Sequence, residues 1–191
     1  MWTINSVTNG TGASLKGIEV SFQTALRFLP GFLKNFGVIA NASLIGSDAT
    51  YTVAGPTVND CVPAANPANA CTFGPNVAAR RTTTLFGLSK RAVNGTLYYE
   101  DAKFSARGSV SYRGPYIDAN SGTGNVFEGY NGTVNVDASV RYKLTPNVEV
   151  SLEGTNLTDQ YRDRYTDLDA NRNYEYNHFG RTVLIGARFK M

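Results

Sequence analysis

The fold of this chain is indicated most clearly by residues 133–157, TVNVDASVRYKLTPNVEVSLEGTNL. From Val134 to Tyr142 every second residue is apolar, and the residues between them are polar or charged. The same alternation resumes at Val148, after a break at residues 144–146. Successive side chains of a strand point to opposite faces, so this period of two predicts a pair of strands, each with one apolar and one polar face.

The alternation does not say which face is covered. A sheet in a soluble protein buries its apolar face in a core. A membrane barrel turns the apolar face towards lipid and keeps the polar face inside. The choice therefore depends on the rest of the sequence.

The same pattern recurs along the whole chain. In each repeat the large apolar residues face one side, and most charged residues of the strand face the other. The sequence therefore predicts an all-β, antiparallel fold. The predicted strands cover seven segments, residues 17–28, 36–45, 93–100, 103–113, 133–143, 147–153 and 181–191.

The connections between these strands alternate in length. Short turns are predicted at 29–35, 101–102 and 144–146, and long polar connections at 53–90, 116–131 and 158–178. Barrels of the outer membrane have brief periplasmic turns and long external loops, and their aqueous lumen accommodates mid-strand charges such as Arg107 and Arg141. This regularity favours an antiparallel up-and-down transmembrane β-barrel.

Composition fits strands and turns and argues against two other classes of protein. The chain has 191 residues, 42% of them hydrophobic, with 19 Gly, 11 Tyr and 10 Phe. A formal net charge of +3 is too small to indicate a nucleic-acid partner. No apolar run approaches the ~18 residues of a transmembrane helix, a limit that does not apply to barrel strands of about 9–11 residues.

Two short segments bear on export. The N-terminus, MWTINSVTNGTG, lacks the basic and apolar regions of a signal peptide, so we expect a mature chain or a piece of a longer one. Cys61 and Cys71 lie in a loop rich in Pro, Asn and Ala, where we expect a disulfide formed in an oxidising compartment. Two free thiols are the alternative, while Cys-x9-Cys is not a metal-ligand spacing.

Aromatic residues concentrate near the predicted strand ends. Amphipathic rings favour membrane interfaces, so two groups at opposite ends are consistent with two girdles, although strand propensity alone also enriches aromatics. The group on the side of the short turns is Phe28, Phe32, Phe36, Tyr99, Phe104, Tyr142 and Phe189. The group towards the long connections is Tyr51, Tyr112, Tyr116 and Tyr130.

Charged residues suggest a register for the hairpin in residues 133–153. A three-residue loop would place Arg141 opposite Glu149 and Asp137 opposite Glu153. A five-residue loop would shift both pairs, so the facing of these strands is predicted more firmly than their register.

Few residues suggest catalysis. The single histidine, His178, lies in a loop before the last strand, with no nucleophile motif near it. Asp167, Asp169 and Asn171 have the opening spacing of a calcium loop, but Arg172 and His178 stand where Gly and Glu are required. The sequence therefore predicts neither an enzyme nor a cofactor or metal site.

Residues 161–176 are a better candidate for ligand contact. They mix guanidinium groups with tyrosine rings, which suits sugars or anionic chelates, although an ordinary solvated loop can have the same composition. The candidate ligand-binding residues are Tyr161, Arg162, Arg164, Tyr165, Asp167, Asp169, Arg172, Tyr174 and Tyr176.

Three segments resemble one family when they are taken in order. Residues 156–191 combine an Asn-Leu-Thr-Asp run, a Tyr-rich loop and Gly-Arg-Thr opening a final amphipathic strand. Residues 12–51 place a Gly-Ile-Glu strand before a Leu-Pro turn and an Asn-Ala-Ser strand, and residues 87–117 continue the pattern. Together they resemble the C-terminal part of the β-barrel of TonB-dependent outer-membrane receptors.

The resemblance implies a transporter of the bacterial outer membrane. Receptors of this family import scarce ligands, such as ferric siderophores, cobalamin or oligosaccharides, with energy transmitted by TonB to an N-terminal plug domain. Residues 1–191 would then form about seven C-terminal strands of a 22-stranded barrel, without the plug. The implied partners are outer-membrane lipid, the barrel assembly machinery, TonB through the plug, and a small-molecule or oligosaccharide ligand.

The end of the chain departs from the family pattern, in which the last residue is usually aromatic. Here Gly186, Phe189 and Met191 are expected to form the signal that the assembly machinery reads. Phe189 supplies an aromatic ring two residues early, and Met191 keeps an apolar residue on the lipid-facing side.

Two alternatives remain open. The chain could form a self-contained small barrel, an adhesin or a porin, with Trp2–Thr8 as an eighth strand, since bacterial barrels have even strand numbers. It could also be a soluble β-sandwich binding module, in which the apolar faces would have to meet in a core.

Overall fold

The computed structural model describes residues 12–53, 79–120 and 127–190. These residues form antiparallel strands with one short 3₁₀ helix at Gly31–Asn35, which confirms the all-β antiparallel prediction. No helix among them is long and apolar enough to span a membrane. The strands are β1 Ser14–Ala25, β2 Phe36–Val53, β3 Ala79–Thr83, β4 Arg91–Glu100, β5 Phe104–Arg113, β6 Tyr116–Asn120, β7 Phe127–Tyr130, β8 Thr133–Thr145, β9 Val148–Thr155, β10 Arg162–Thr166, β11 Arg172–Asn177 and β12 Thr182–Phe189.

Seven of these strands form one large sheet in the order β1-β2-β4-β5-β8-β9-β12. Each strand pairs antiparallel with the next one of this path, so the large sheet is an up-and-down meander. β3 pairs with the end of β2, from Ala49 to Val53. Each of the seven segments predicted from the alternation contains a strand of this sheet, although β1 ends at Ala25 and not at Phe28, β2 continues to Val53 and β12 ends at Phe189.

The large sheet is open in the described part of the chain. β1 lies at one edge, where it pairs with β2, and β12 lies at the other, where it pairs with β9. Among the described residues neither edge has a second neighbour, so each presents backbone N–H and C=O groups to a further strand.

One face of the large sheet is apolar across all seven strands. The register places Ile18 beside Leu44, Val140 beside Leu152, and Leu152 beside Ile185. Among the described residues nothing covers this face, since Ile18 is 69% exposed and Ile185 is 85% exposed. The alternating sequence therefore produces an exposed apolar surface and not a buried core.

The opposite face is polar and carries hydrogen bonds between neighbouring strands. Asn94 Nδ2 donates to Asn41 Oδ1 at 2.8 Å, and Ser111 Oγ donates to Asn94 Oδ1 at 2.6 Å. Further along the same face Arg141 forms an ion pair with Glu153 at 3.2 Å. The mid-strand charges thus lie away from the apolar surface, as predicted.

The register of the β8–β9 hairpin differs from the one drawn from a three-residue loop. Lys143 lies opposite Glu149 and Arg141 opposite Ser151, with an irregularity between Lys143 and Thr145. Both charge pairs predicted with the shorter loop are therefore wrong, and the pairing is the one that a five-residue loop gives. A compact turn with a bulge was not visible in the sequence, because Leu144 and Thr145 fit either arrangement.

The three long connections contain five strands that the sequence analysis missed. β3 extends the pairing of β2, and the other four form a second sheet in the order β11-β10-β7-β6. The prediction of polar loops at 116–131 and 158–178 is wrong for this reason. These strands have only four to six residues each, too few for a period of two to stand out.

A small aromatic cluster joins the second sheet to the end of β2. Ile117 and Phe127 are its buried members, and Tyr51 and Phe86 pack against them. The Tyr51 and Phe86 rings are stacked with centres 4.0 Å apart, and the Phe86 N–H donates to the Tyr51 hydroxyl at 3.1 Å. Tyr51 is therefore part of an internal cluster, and its predicted place in a girdle is wrong.

The aromatic residues beside the short turns form a row on the apolar face. Phe36 lies opposite Tyr99, and Phe104 lies opposite Tyr142. The ring centres of Phe36 and Tyr99 are 5.0 Å apart, and those of Tyr99 and Phe104 are 5.9 Å apart. Phe189 is the last residue of β12 and lies at the same end of the sheet, opposite Val148. Ring contacts link Phe36, Tyr99 and Phe104 within this row, and its place in a girdle stays a prediction.

Candidate functional site

The Asn-Leu-Thr-Asp run, residues 156–159, fastens the end of β9 to its neighbours. Asn156 has a φ of 54°, and its N–H donates to Asp137 Oδ1 at 2.9 Å. Its Nδ2 donates to the carbonyls of Gln160 and Gly180, while its Oδ1 accepts the Gln160 N–H at 2.7 Å. Asparagine tolerates positive φ better than most residues, and here it also satisfies several backbone groups at once. This turn fixes the position at which the chain leaves the large sheet after β9 and continues to β10.

A cavity of about 250 Å³ lies where the second sheet meets the polar face of the large sheet. Its walls come from the end of β5, the start of β6, the end of β7, the start of β8 and the residues around the start of β10. We name it the arginine–tyrosine pocket. Its principal side chains are Arg113, Tyr116, Tyr130, Asn135, Tyr161 and Arg162.

Arg113 enters the pocket from the end of β5. Its guanidinium carbon lies 3.9 Å from the centre of the Tyr116 ring. Its Nη2 donates to the Gly87 carbonyl at 2.8 Å, and its Nε donates to Ser89 Oγ at 3.0 Å. These contacts fix the plane of the guanidinium.

Arg162 enters from the first position of β10. Its guanidinium carbon lies 3.8 Å from the centre of the Tyr130 ring, and its Nη2 donates to the Tyr116 hydroxyl oxygen at 3.3 Å. This hydrogen bond raises the pKa of Arg162 above its usual value. The Tyr116 and Tyr130 rings are 5.3 Å apart, so two guanidinium groups and two phenol rings form one assembly.

The structure brings Tyr161 and Arg162 into the pocket but places other predicted ligand residues elsewhere. Arg164 lies inside the second sheet, paired with Glu128 at 3.3 Å and Glu175 at 3.7 Å. Tyr165 is 4% exposed, and burial raises the pKa of its hydroxyl. Both residues therefore lie outside the pocket, on either side of the point where the register between β10 and β11 shifts.

Asp167, Asp169 and Arg172 belong to the turn between β10 and β11. Asp167 accepts the N–H of Ala170 at 3.3 Å and that of Asp169 at 3.2 Å, and Arg172 Nε donates to it at 3.1 Å. The Ala170 N–H and the Arg172 guanidinium lower the pKa of Asp167. These residues lie outside the pocket, and their interactions with one another account for the spacing that resembles a calcium loop. Within the described ranges no group of three or more His, Cys, Asp or Glu could hold a metal ion.

The outer tyrosines of the hairpin lie beside the pocket. Tyr161 meets Tyr176 edge to face with centres 5.3 Å apart, and His178 lies 6.2 Å from Tyr161 on another side. His178 Nε2 is 2.9 Å from Asp159 Oδ1. Tyr174 lies further away, with the Arg164 guanidinium 5.3 Å from its ring centre. Tyr176 and His178 thus orient Tyr161, while Tyr174 supports the second sheet.

The remaining predicted residues fall at the ends of the described ranges or beyond them. Gly186 and Phe189 lie on β12, where Gly186 is opposite Ser151 and Phe189 opposite Val148. Cys61, Cys71 and Met191, together with the segment Trp2–Thr8, lie outside the described residues.

Four principal pocket residues, Arg113, Tyr116, Tyr130 and Asn135, were missed from the sequence as ligand contacts, because they lie on other strands. The sequence signal that could have found two of them is Arg-Gly-Pro-Tyr, residues 113–116, in which Gly and Pro turn the chain so that Arg113 lies over Tyr116.

No family model, curated protein or solved structure matches this chain. Function has therefore to be inferred from the geometry of the described residues.

Proposed function

We propose that this chain is part of the membrane barrel of a TonB-dependent outer-membrane receptor, which imports a scarce ligand such as a siderophore, cobalamin or an oligosaccharide. The observation that carries the proposal is the uncovered apolar face of the large sheet. Val20 on β1, Leu97 on β4 and Ile185 on β12 are each at least half exposed. An apolar surface of seven strands needs a partner, and lipid is the partner that accepts every strand of it.

The two ends of the sheet support the same placement. The connections at one end, residues 26–35, 101–103 and 146–147, are shorter than those at the other end, and the aromatic row from Phe36 to Tyr142 lies beside them. The connections at the other end build the second sheet and the arginine–tyrosine pocket. Outer-membrane barrels have this polarity, with short periplasmic turns below an aromatic girdle and large external connections that meet the ligand.

The edges of the sheet bear on whether the chain closes by itself. β1 and β12 run in the same direction, because they are the first and the seventh strand of a path on which every neighbouring pair is antiparallel. An antiparallel barrel cannot be closed by pairing these two strands directly, and bacterial barrels have even strand numbers. The large sheet therefore fits an arc of a larger barrel better than a complete small one, unless Trp2–Thr8 supplies an eighth strand.

The soluble sandwich is supported less well. It requires a second apolar face to cover the first. The buried hydrophobic residues of the described part lie instead at the end of β2 and in the second sheet, and they leave the apolar face uncovered.

The proposal is tested by solubility and by cross-linking. The full chain is expected to need detergent, and a monomer that is soluble in plain buffer would contradict membrane placement. In a chain with Cys61→Ser and Cys71→Ser, cysteines in Trp2–Thr8 and in β12 should not cross-link. The pair Val140→Cys and Leu152→Cys, which are neighbours in the β8–β9 register, is the positive control. A cross-link between Trp2–Thr8 and β12 would establish a small closed barrel instead.

A further inference from the structure

The two arginines of the arginine–tyrosine pocket form no ion pair with the described carboxylates, and Asp118 on β6 acts on Arg162 only from a longer distance. The lining of the pocket contains Arg113 and Arg162 and includes no Asp or Glu. Among the described residues no carboxylate lies within 4.0 Å of either guanidinium. Two unpaired guanidinium groups on one cavity form an attractive site for an anion.

The neighbouring arginines of the second sheet, in contrast, have carboxylate partners. Arg164 has both Glu128 and Glu175 as partners, and Arg172 has Asp167. The lack of a carboxylate at the pocket is therefore a local feature and does not reflect a shortage of acidic residues nearby.

Both pocket arginines are also held in place before any ligand arrives. The guanidinium of Arg113 lies over Tyr116 and is bonded to Gly87 and Ser89, and that of Arg162 lies over Tyr130 and is bonded to Tyr116. A guanidinium presents its N–H donors in a planar fork that matches carboxylate or phosphate oxygens. A site that is already ordered loses less entropy on binding.

The rest of the lining suits a compact hydroxylated molecule. Asn135 adds an amide, and Tyr161 and Phe179 add partly exposed rings, with Phe179 74% exposed. The volume of about 250 Å³ is slightly below the ~300–1,000 Å³ of pockets for drug-sized ligands. A single sugar ring with one acidic substituent matches these features.

We infer that the arginine–tyrosine pocket binds a small oxyanion-bearing ligand, such as an acidic sugar, through the guanidinium groups of Arg113 and Arg162. This inference rests on the proposed function, because it makes the pocket a ligand site on the external side of a receptor. Beyond that function, the inference states that the pocket selects its ligand by negative charge and binds a neutral sugar less tightly than an anionic one.

The test uses three probes that share one ring, namely glucuronate, glucose 6-phosphate and glucose, titrated by calorimetry into the full chain folded in detergent. Both anionic sugars are expected to bind at least about tenfold more tightly than glucose, since hydrogen bonds to ionised partners are about twice as strong as neutral ones. Tighter binding of glucuronate would identify a carboxylate as the preferred group, and tighter binding of glucose 6-phosphate a phosphate. Glucose binding as tightly as both anions would overturn the inference.

Variants separate the pocket from general attraction to a basic surface. R162Q and R113Q should each weaken the anionic probes by about tenfold or more and leave glucose unchanged. R172Q is the matched control, because it removes a charge of the same hairpin outside the pocket, and it should change binding less than about twofold at 0.15 M salt, where the Debye length is about 8 Å. Equal losses in R162Q and R172Q would overturn the site.

R162K provides a second variant that keeps the charge. It is expected to weaken anion binding several-fold, because lysine lacks the fork and the flat stack on Tyr130. Each variant is checked by far-UV circular dichroism for its β-structure. Binding in detergent does not depend on placement of the chain in a bilayer, so the two proposals can fail separately. A chain that inserts into membranes but does not bind the anionic sugars would overturn this inference alone. A chain that binds them but does not insert overturns the proposed function alone.

Discussion

A charge placed on the apolar face at mid-strand should destabilise the chain in a bilayer, and Val110→Arg is the clearest case. Val110 lies on β5 between Gly95 and Val136 and is 46% exposed. It is six residues from Phe104, which belongs to the aromatic row. At ~3.3 Å per residue and a tilt of about 40°, Val110 lies about 15 Å from that row, close to the middle of an apolar band about 25 Å tall.

An arginine at the bilayer midplane costs about 2–4 kcal/mol on the lipid face of a barrel. V110R is therefore expected to lower the free energy of unfolding by about that amount. S109R is the control, because Ser109 has the same depth but lies on the polar face opposite Asp137. Its effect should be within about 1 kcal/mol. The assay is guanidinium unfolding of the chain in phospholipid vesicles, followed by far-UV circular dichroism. Equal destabilisation by V110R and S109R, or a V110R variant as stable as the wild type, would refute the assignment of the faces.

Three further predictions concern the sheet itself and are measured by the same unfolding assay. N156A should lower the free energy of unfolding by about 1–3 kcal/mol, because it removes three side-chain hydrogen bonds from the turn after β9 and forces an alanine to adopt a φ of 54°. An unchanged unfolding midpoint would contradict the anchoring role of Asn156. G37A should lower the free energy of unfolding by about 1 kcal/mol or more, since a Cβ at this position meets the Tyr98 ring. G95A should not, because the space around its Cβ is open. Equal effects of the two variants would show that the Tyr98 ring moves aside without cost. Asp101 accepts hydrogen bonds from the N–H groups of Phe104 and Lys103, and these bonds lower the pKa of its carboxyl below the usual 3.8. The ionised carboxylate therefore stabilises the folded chain above that pH, and this stabilisation is lost as the pH falls through the folded-state pKa. D101N should therefore be less stable than the wild type at about pH 6, with a difference that shrinks towards about pH 3; a difference independent of pH would contradict this.

Long strands could be predicted from this sequence, and short ones could not. Residues 133–143 alternate over enough positions to identify both the strand and its faces, and β8 is found there. β7 has only the four residues Phe127–Tyr130, all buried, so no alternation exists to be recognised. The register of β8 and β9 depended on a bulge near Lys143 that no residue type announces.

The candidate site was only partly visible for a related reason. Tyr161 and Arg162 were expected from composition, because guanidinium groups together with tyrosine rings suit sugars or anionic chelates. Arg113, Tyr116 and Tyr130 join them only because the connection from β5 to β8 and the connection from β9 to β12 meet at one end of the large sheet. Sequence reasoning treats each connection separately, so it could not bring these residues together.

The central claim is that the apolar face of the large sheet contacts lipid while the polar face contacts water. It is tested most directly on β5, by attaching a fluorophore to single cysteines at each position from 106 to 112, in a chain with Cys61→Ser and Cys71→Ser. The chain is folded in vesicles of ordinary or brominated phospholipid. The account predicts strong quenching by brominated lipid at 106, 108, 110 and 112, and weak quenching at 107, 109 and 111. Uniform quenching along β5, or quenching confined to the odd-numbered positions, would contradict it.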